Sequence, residues 1–394
     1  MEKEKVLQLY EPLHDQLSQL SRYIHDNPEL GYEEKKACAA HAALLRNHGF
    51  SVEEGYLDIP TAFRAEYDSK KPGPTIAYLA EYDALPEIGH GCGHNILGAI
   101  STGAGILLSK LVAEIGGRVL VLGTPAEETS GAKVPMAEKG AFDGVDAALI
   151  SHPYEADIES GSSLALEAIQ FTFLGRPSHA AAAPEQGINA LDACLATFHS
   201  INALRQHALS TARIHGVIIE GGVAANIVPE RAVAQFYVRT TDKLYLKELS
   251  EKVKNCARAG ALAAGAQLEI SNFELGYDNM ITNHGIQARL TEHLKALGIA
   301  DIQKASPVAG STDVGNVSHV CPTIHNMYNI FAPGEQGFAT HTAEFCEATL
   351  RPAAMEAMRK NVCALAMTGA DIISDPQLCA AIRAEFDAAT AGER

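Results

Sequence analysis

The segment Gly89-His90-Gly91-Cys92-Gly93-His94-Asn95 alternates glycine with a thiol and imidazoles. Glycine permits backbone conformations that let Cys92 and His94 point at a common atom. Three apolar runs of the first half end in further donor residues. Glu81-Tyr82-Asp83 follows TIAYLA, Glu127-Glu128 follows RVLVLGTPA, and His152 follows DAALIS. His341 stands in the late segment HTAEF. Together Cys92, His94, Glu128, His152 and His341 offer sulfur, nitrogen and oxygen donors that suit Zn²⁺ or Mn²⁺ better than Ca²⁺ or Mg²⁺. Five protein donors are more than one catalytic zinc usually takes, so the set predicts two divalent ions with a shared ligand.

Those residues need elements that bring them together. Up to about residue 165, helical stretches (Tyr10 to His25, Glu33 to His48) alternate with β-rich runs at Thr75 to Ala80, Arg118 to Gly123 and Asp146 to Ser151. Alternation of this kind predicts an α/β catalytic domain with a mostly parallel sheet. Ligands of such sheets bind outside the carboxyl ends of the strands, which is where the donors fall. From about 167 the order becomes strand, helix, strand, strand, helix, strand, the βαββαβ pattern of a ferredoxin-like module. In its first helix Ile188, Leu191, Leu195, Phe198, Ile201 and Leu204 predict one buried face. A helix near 284 to 296, an apolar run at Thr323 to Ile330 and a long helix near 344 to 369 then resume the α/β pattern. The expected organisation is a catalytic domain in two parts, 1–166 and 281–394, with an inserted domain over 167–280.

The chain has 394 residues, 31 basic against 48 acidic, and a net charge of −17. No block of Lys or Arg occurs, which argues against nucleic acid or anionic membrane as a partner. The terminus MEKEKVLQLYEPL lacks an apolar core with a cleavage site, and no apolar stretch reads as long or charge-free enough to span a bilayer. Eight scattered cysteines without a CxxC pair fit a reducing compartment, so the expected localisation is cytoplasmic.

The segments EYDALP, GHGCGHN, GTPAEETSGAK, SHP, GRPSHAAAAPEQGINALDA, GSTDVGNVSH and HTAEF resemble, in order, those of metallopeptidase family M-twenty, subfamily D, within the aminoacylase and carboxypeptidase superfamily. GHGCGHN looks like the branch holding p-aminobenzoyl-glutamate hydrolase and an aminoacylase-like dipeptidase. The resemblance implies that Cys92, His94, Glu128, His152 and His341 are the metal ligands, with Cys92 as bridge, and that Glu127 is the catalytic glutamate. Asp83 matches an Asp that orients a ligand imidazole. Glu81 stands where the wider superfamily has a ligand His and is not assigned as a ligand; Asn95 replaces a commoner Asp. The insert is implied to be a lid and dimerisation domain, whose His179, Asn226 and Arg239 match substrate-binding residues. The implied protein is a homodimer.

On this reading a water activated by two metals attacks a small amide substrate with a free carboxylate, an N-acyl amino acid or dipeptide. Glu127 serves as general base and Asp83 supports the site. His179 would hold the oxyanion, and Arg239 with Asn226 the carboxylate. Three alternatives start from the same residues: an N-carbamoyl amino acid hydrolase, a non-catalytic metal-dependent binding protein, and a cysteine hydrolase using Cys92.

Overall fold

The structure is a computed structural model that describes residues 3–306 and 310–393. Its strands are β1 (Ser51–Glu54), β2 (Phe63–Asp68), β3 (Thr75–Ala80), β4 (Arg118–Gly123), β5 (Ala147–Tyr154), β6 (Ala165–Leu174), β7 (Arg213–Glu220), β8 (Arg231–Thr240), β9 (Gln267–Asn272) and β10 (Thr323–Asn329). Its helices run α1 (Lys3–Tyr10), α2 (His14–Asp26), α3 (Lys35–Asn47), α4 (His94–Ile115), α5 (Lys133–Glu138) and α6 (Ala190–Leu204). They continue as α7 (Lys243–Ala264), α8 (His284–Ala296), α9 (Val314–Ser318), α10 (Ala343–Ala348), α11 (Pro352–Ser374) and α12 (Pro376–Thr390). The chain divides into two compact units, one of Met1–Ser162 with Met280–Arg394, the other of Ser163–Asn279.

The first unit holds a six-stranded sheet in the order β1-β2-β4-β3-β5-β10. The pairs β3 with β4, β3 with β5 and β5 with β10 are parallel, as the alternating pattern predicts. β1 and β2 add an antiparallel edge that the sequence reading missed. SVEE ends in two adjacent glutamates and FRAEYD is charged at alternate positions, so no continuous apolar run announces them. β3 is buried along its whole length, because both faces of the sheet are covered. Side chains alternate across a strand, so Ile76 and Tyr78 join the core under α4 and α11, while Ala77 and Leu79 join the one under α5 and α9. Each such fully buried large apolar side chain contributes about 1.5–3 kcal/mol.

Three expectations need correction. α4 is long and apolar enough to cross a membrane by length and composition alone, but most of it is buried inside the protein as a core helix. The helix expected near 344 to 369 is two, α10 and α11, because Pro352 opens the second and forces Arg351 before it to an extended ψ of 156°. His152 does not follow its strand. It lies inside β5, which runs on to Tyr154.

The second unit is the ferredoxin-like module. Its four strands pair antiparallel in the order β7-β8-β6-β9. α6 and α7 cover one face, where Phe171, Phe173, Phe236 and Val238 are buried. Asn189 caps α6 by accepting from the N–H groups of Leu191 and Asp192 at 3.0 and 3.3 Å. Of the expected stripe on α6, Ile201 is buried and Leu191, Phe198 and Leu204 pack partly buried against this core, while Leu195 is 42% exposed; Ala190, Ala193, Cys194 and Thr197 complete the buried face. The small residues let α7 approach closely: a Cβ on Gly260 would stand 2.5 Å from the carbonyl of Ala193. β7 is an edge strand with Val217 and Ile219 both more than half exposed.

Candidate metal centre

Parallel strands β3, β4 and β5 end on the same side of their sheet, and the donors follow from that. Glu81 and Asp83 leave β3, Glu127 and Glu128 leave β4, and His152 sits near the end of β5. The GHGCGHN loop then enters α4. Gly93 adopts φ +79°, a left-handed conformation, immediately before the first helical residue, His94. A Cβ there would stand 2.5 Å from Pro153 Cγ, so glycine is required by both backbone and space. His341, with φ +67°, is fixed by its backbone N–H donating to the Gly91 carbonyl at 2.8 Å. A non-glycine residue held in that region stores backbone strain of the kind found at functional sites.

Asp83 is the organiser. Its Oδ1 lies 2.9 Å and its carbonyl 3.1 Å from His94 Nδ1, so that nitrogen carries the proton and Nε2 presents its lone pair. Asp83 Oδ2 accepts the backbone N–H of Glu128 at 2.9 Å, which ties the β3 loop to the β4 loop. His152 is oriented in the same way: Nδ1 donates to the Pro153 carbonyl at 2.7 Å and Nε2 faces Cys92 Sγ at 3.4 Å. Glu128 Oε1 stands 3.4 Å from His341 Nε2 and 4.0 Å from His94 Nε2.

Three overlapping sets of donors result, each with its ligand atoms within 4.8 Å of one another: Cys92, His94 and His152; Cys92, Glu128 and His341; His94, Glu127 and Glu128. Cys92 belongs to two of them. His94 Nε2 and Glu128 Oε1 are buried without a hydrogen-bond partner, a condition costly for a polar atom unless a cation binds there. The donor chemistry therefore fits a metal. Burial pushes the Cys92 thiol well above its usual range, so a cation is also what would make it a thiolate. Burial opposes ionisation of Glu128, but the nearby His341 and His94 imidazoles bring it down to about 2. Glu127 behaves oppositely: burial, then the charges of Glu81 and Asp313, raise it well above the usual carboxylate range.

The loop bearing Glu127 and Glu128 is clamped by residues that sequence reasoning left without a role. Ala126, at φ +63°, donates its N–H to Glu34 Oε1 at 2.8 Å. Tyr32 donates its hydroxyl to the Ser130 carbonyl at 2.5 Å. Lys133, at the end of the GTPAEETSGAK segment, is fully buried and reaches Glu81 and Asp313. His325, left unassigned, packs edge-on against His152 with ring centroids 5.7 Å apart. Asn95 lies away from the donors, its amide donating to Ser21 and Thr349 at 3.1 Å.

In the inserted unit the structure pairs two of the three expected substrate residues. His179 forms an antiparallel bridge with Ile227, and the Ala180 N–H donates to the Asn226 carbonyl at 3.0 Å. His179 Nδ1 accepts from the N–H groups of Ala181 and Ala182, both at 3.2 Å. Arg239 lies apart on β8. It shares the sheet face of Gln235 and Tyr237, opposite α6 and α7, with its guanidinium 5.1 Å from the Tyr237 ring centroid.

Comparison with known proteins adds context for this geometry. Residues 62–364 match peptidase family M20/M25/M40. The Xaa-Arg dipeptidase of Mus musculus is 36% identical over 392 residues, covering 94% of this chain and 89% of that protein. One of the polypeptides of the p-aminobenzoyl-glutamate hydrolase of Escherichia coli is 32% identical over 296 residues, covering 70% of this chain and 61% of that one. Among solved structures the Bacillus subtilis YXEP protein, a dinuclear metal-binding peptidase from the M20 family, superposes with a TM-score of 0.64 at 20% identity, over 89% of this chain and 98% of that chain.

Proposed function

The chain belongs to peptidase family M20/M25/M40 and is a hydrolase of amide bonds, and from that premise we propose a di-metal dipeptidase or N-acyl amino acid amidohydrolase whose substrate carries a free carboxylate. The observation that carries the reading is the overlap of the donor sets, in which Cys92, His94 and Glu128 each serve two. One ion would be held by Cys92, His94 and His152, the other by Cys92, Glu128 and His341. The nitrogen, sulfur and oxygen donors favour Zn²⁺ or Mn²⁺.

Two bound cations supply Lewis-acid chemistry, lowering the pKa of a water and polarising the scissile carbonyl. Glu127 accepts the proton from that water. Its carboxylate lies within 4.8 Å of the donor atoms of His94 and Glu128, beside the place an ion would take, and from there it can deliver the proton to the leaving amine. Asp83 keeps His94 in the tautomer that offers Nε2. His179 is assigned to the oxyanion, and Arg239 with Asn226 to the substrate carboxylate, a task suited to a forked guanidinium. Both a dipeptide ending in arginine and p-aminobenzoyl-glutamate carry such a carboxylate, which supports the assignment by analogy with the relatives.

We further assign a homodimer formed through the insert, supported by the apolar edge of β7. A cytoplasmic location is supported by eight cysteines that are all free. The test is removal of metal by chelation, followed by add-back of Mn²⁺ or Zn²⁺, with a panel of dipeptides, N-acyl and N-carbamoyl amino acids. Hydrolysis of dipeptides or N-acyl amino acids should vanish and return. Activity that persists in protein shown metal-free by elemental analysis, and is lost to thiol alkylation, overturns the di-metal reading in favour of Cys92 as nucleophile.

A further inference from the structure

Beside the donor sets lies a second buried polar cluster. Glu81, Lys133 and Asp313 come from the end of β3, the first turn of α5 and the residue before α9, and each has no exposed surface. Lys133 Nζ lies 2.7 Å from Glu81 Oε1 and 2.7 Å from Asp313 Oδ1. Asp313 Oδ2 accepts the Lys133 backbone N–H at 3.1 Å. Its approach requires Gly131, where a Cβ would stand 2.4 Å from the same oxygen. The remaining oxygen of Glu81, Oε2, faces His94 Nε2 at 3.3 Å.

Two physical arguments give this cluster a task. A buried ion pair adds little to stability over apolar residues of the same volume, so stability alone does not account for three buried charges. The second argument is local. Glu81 Oε2 and His94 Nε2 stand 3.3 Å apart, each buried without a hydrogen-bond partner, an arrangement that a shared cation stabilises. Lys133 offsets one of the two carboxylates and leaves the cluster one negative charge in excess, on the side where that cation would stand.

We propose that Lys133 is a positioning residue for the metal centre, clamping Glu81 so that its free oxygen and His94 Nε2 address the same ion. The inference rests on the di-metal reading above and adds a metal-facing carboxylate to it. It separates cleanly from a purely electrostatic role. If Lys133 were only a nearby positive charge, its removal would tighten the binding of divalent cations. If it positions Glu81, its removal weakens binding despite the lost repulsion.

The experiment is calorimetric titration of metal-free wild-type protein, Lys133→Met and Glu81→Gln with Zn²⁺ or Mn²⁺, after circular dichroism and thermal melting have established folding. Both variants should bind one of the two ions about 10- to 100-fold more weakly, the range seen when partners of metal ligands are removed. Turnover should fall with KM little changed. Binding by Lys133→Met as tight as wild type or tighter overturns the proposal, as does wild-type affinity in Glu81→Gln. Should Lys133→Met fail to fold, the near-isosteric Glu81→Gln decides alone. Wild-type protein that takes up neither cation would overturn the di-metal reading itself, an outcome distinct from a variant-specific result.

Discussion

In the unit built from 1–162 and 280–394, the polar residues that matter are buried and held from several sides. His94 and Asp83 are almost wholly enclosed, and Asp83 alone meets both His94 and the Glu128 backbone. In the inserted unit, His179 and Asn226 are exposed and are ordered by backbone pairing between two short segments. The contrast matches the two tasks assigned. Metal ligands must be in place before the ion arrives, because a loosely held donor loses affinity to reorganisation. Groups that meet a substrate must be reachable by it, and exposed segments of marginal local stability suit that.

The strongest test of the buried side of this contrast is Glu127→Gln. It should retain both metals and lose about 10²- to 10⁴-fold in kcat, the range for removal of a general base. Near-normal turnover with intact metal content would remove Glu127 from the mechanism. In the inserted unit, Arg239→Ala should leave metal content untouched and lower kcat/KM by about 10- to 150-fold, the worth of a hydrogen bond to a charged group. A substrate with a carboxamide in place of the carboxylate should be indifferent to the change; equal losses on both substrates would refute carboxylate recognition.

A third comparison concerns pH. Burial raises Glu34 to about 7, above its ordinary 4.5, while it accepts from the Ala126 N–H. Because the folded pKa lies above the unfolded one, its contribution to stability is fully present below about pH 4.5 and is lost as pH rises to 7. Glu34→Gln keeps an acceptor for Ala126 and should flatten that part of the stability curve, a relative gain of about 2–3 kcal/mol at pH 8 in denaturant unfolding. An unchanged pH profile would show that Glu34 does not titrate there. The smallest effect is expected at Val217, exposed on β7. Val217→Lys should change unfolding stability by less than about 0.5 kcal/mol yet shift the protein to monomer in light scattering. A dimer that survives it would place the interface away from this edge.

The layout of the fold was largely written in alternating apolar runs, and the candidate donors stood out by residue type, Cys92 and His94 among glycines and Glu128 just after a run. Strand β3 is apolar at nearly every position since helices cover both its faces, so TIAYLA is conspicuous. β1 and β2 form the partly exposed margin of the same sheet, and their charged residues carry no such signal. The five donors were legible from residue type and placement. Lys133, Asp313 and Glu34 were not, since a buried charge looks in sequence like any surface charge. What marks them is three-dimensional: Lys133 and Asp313 meet across nearly half the chain. Pro352 was an available clue to the break between α10 and α11, and a stricter reading of proline would have used it.

The bridge between Leu166 and Tyr277, with reciprocal backbone hydrogen bonds of 2.8 and 3.0 Å, joins the two ends of the inserted unit. β5 must find β10 across the whole of that insert, a pairing that completes the parallel sheet. Closing a loop costs more entropy the longer it is, and pairings distant in sequence form slowly. An insert that closes on this bridge shortens the effective loop to the stretches outside it, 155–165 and 278–322. Domain-by-domain folding during synthesis would let the module close before β10 and the proposed ligand His341, last of the candidate donors in the chain, have emerged.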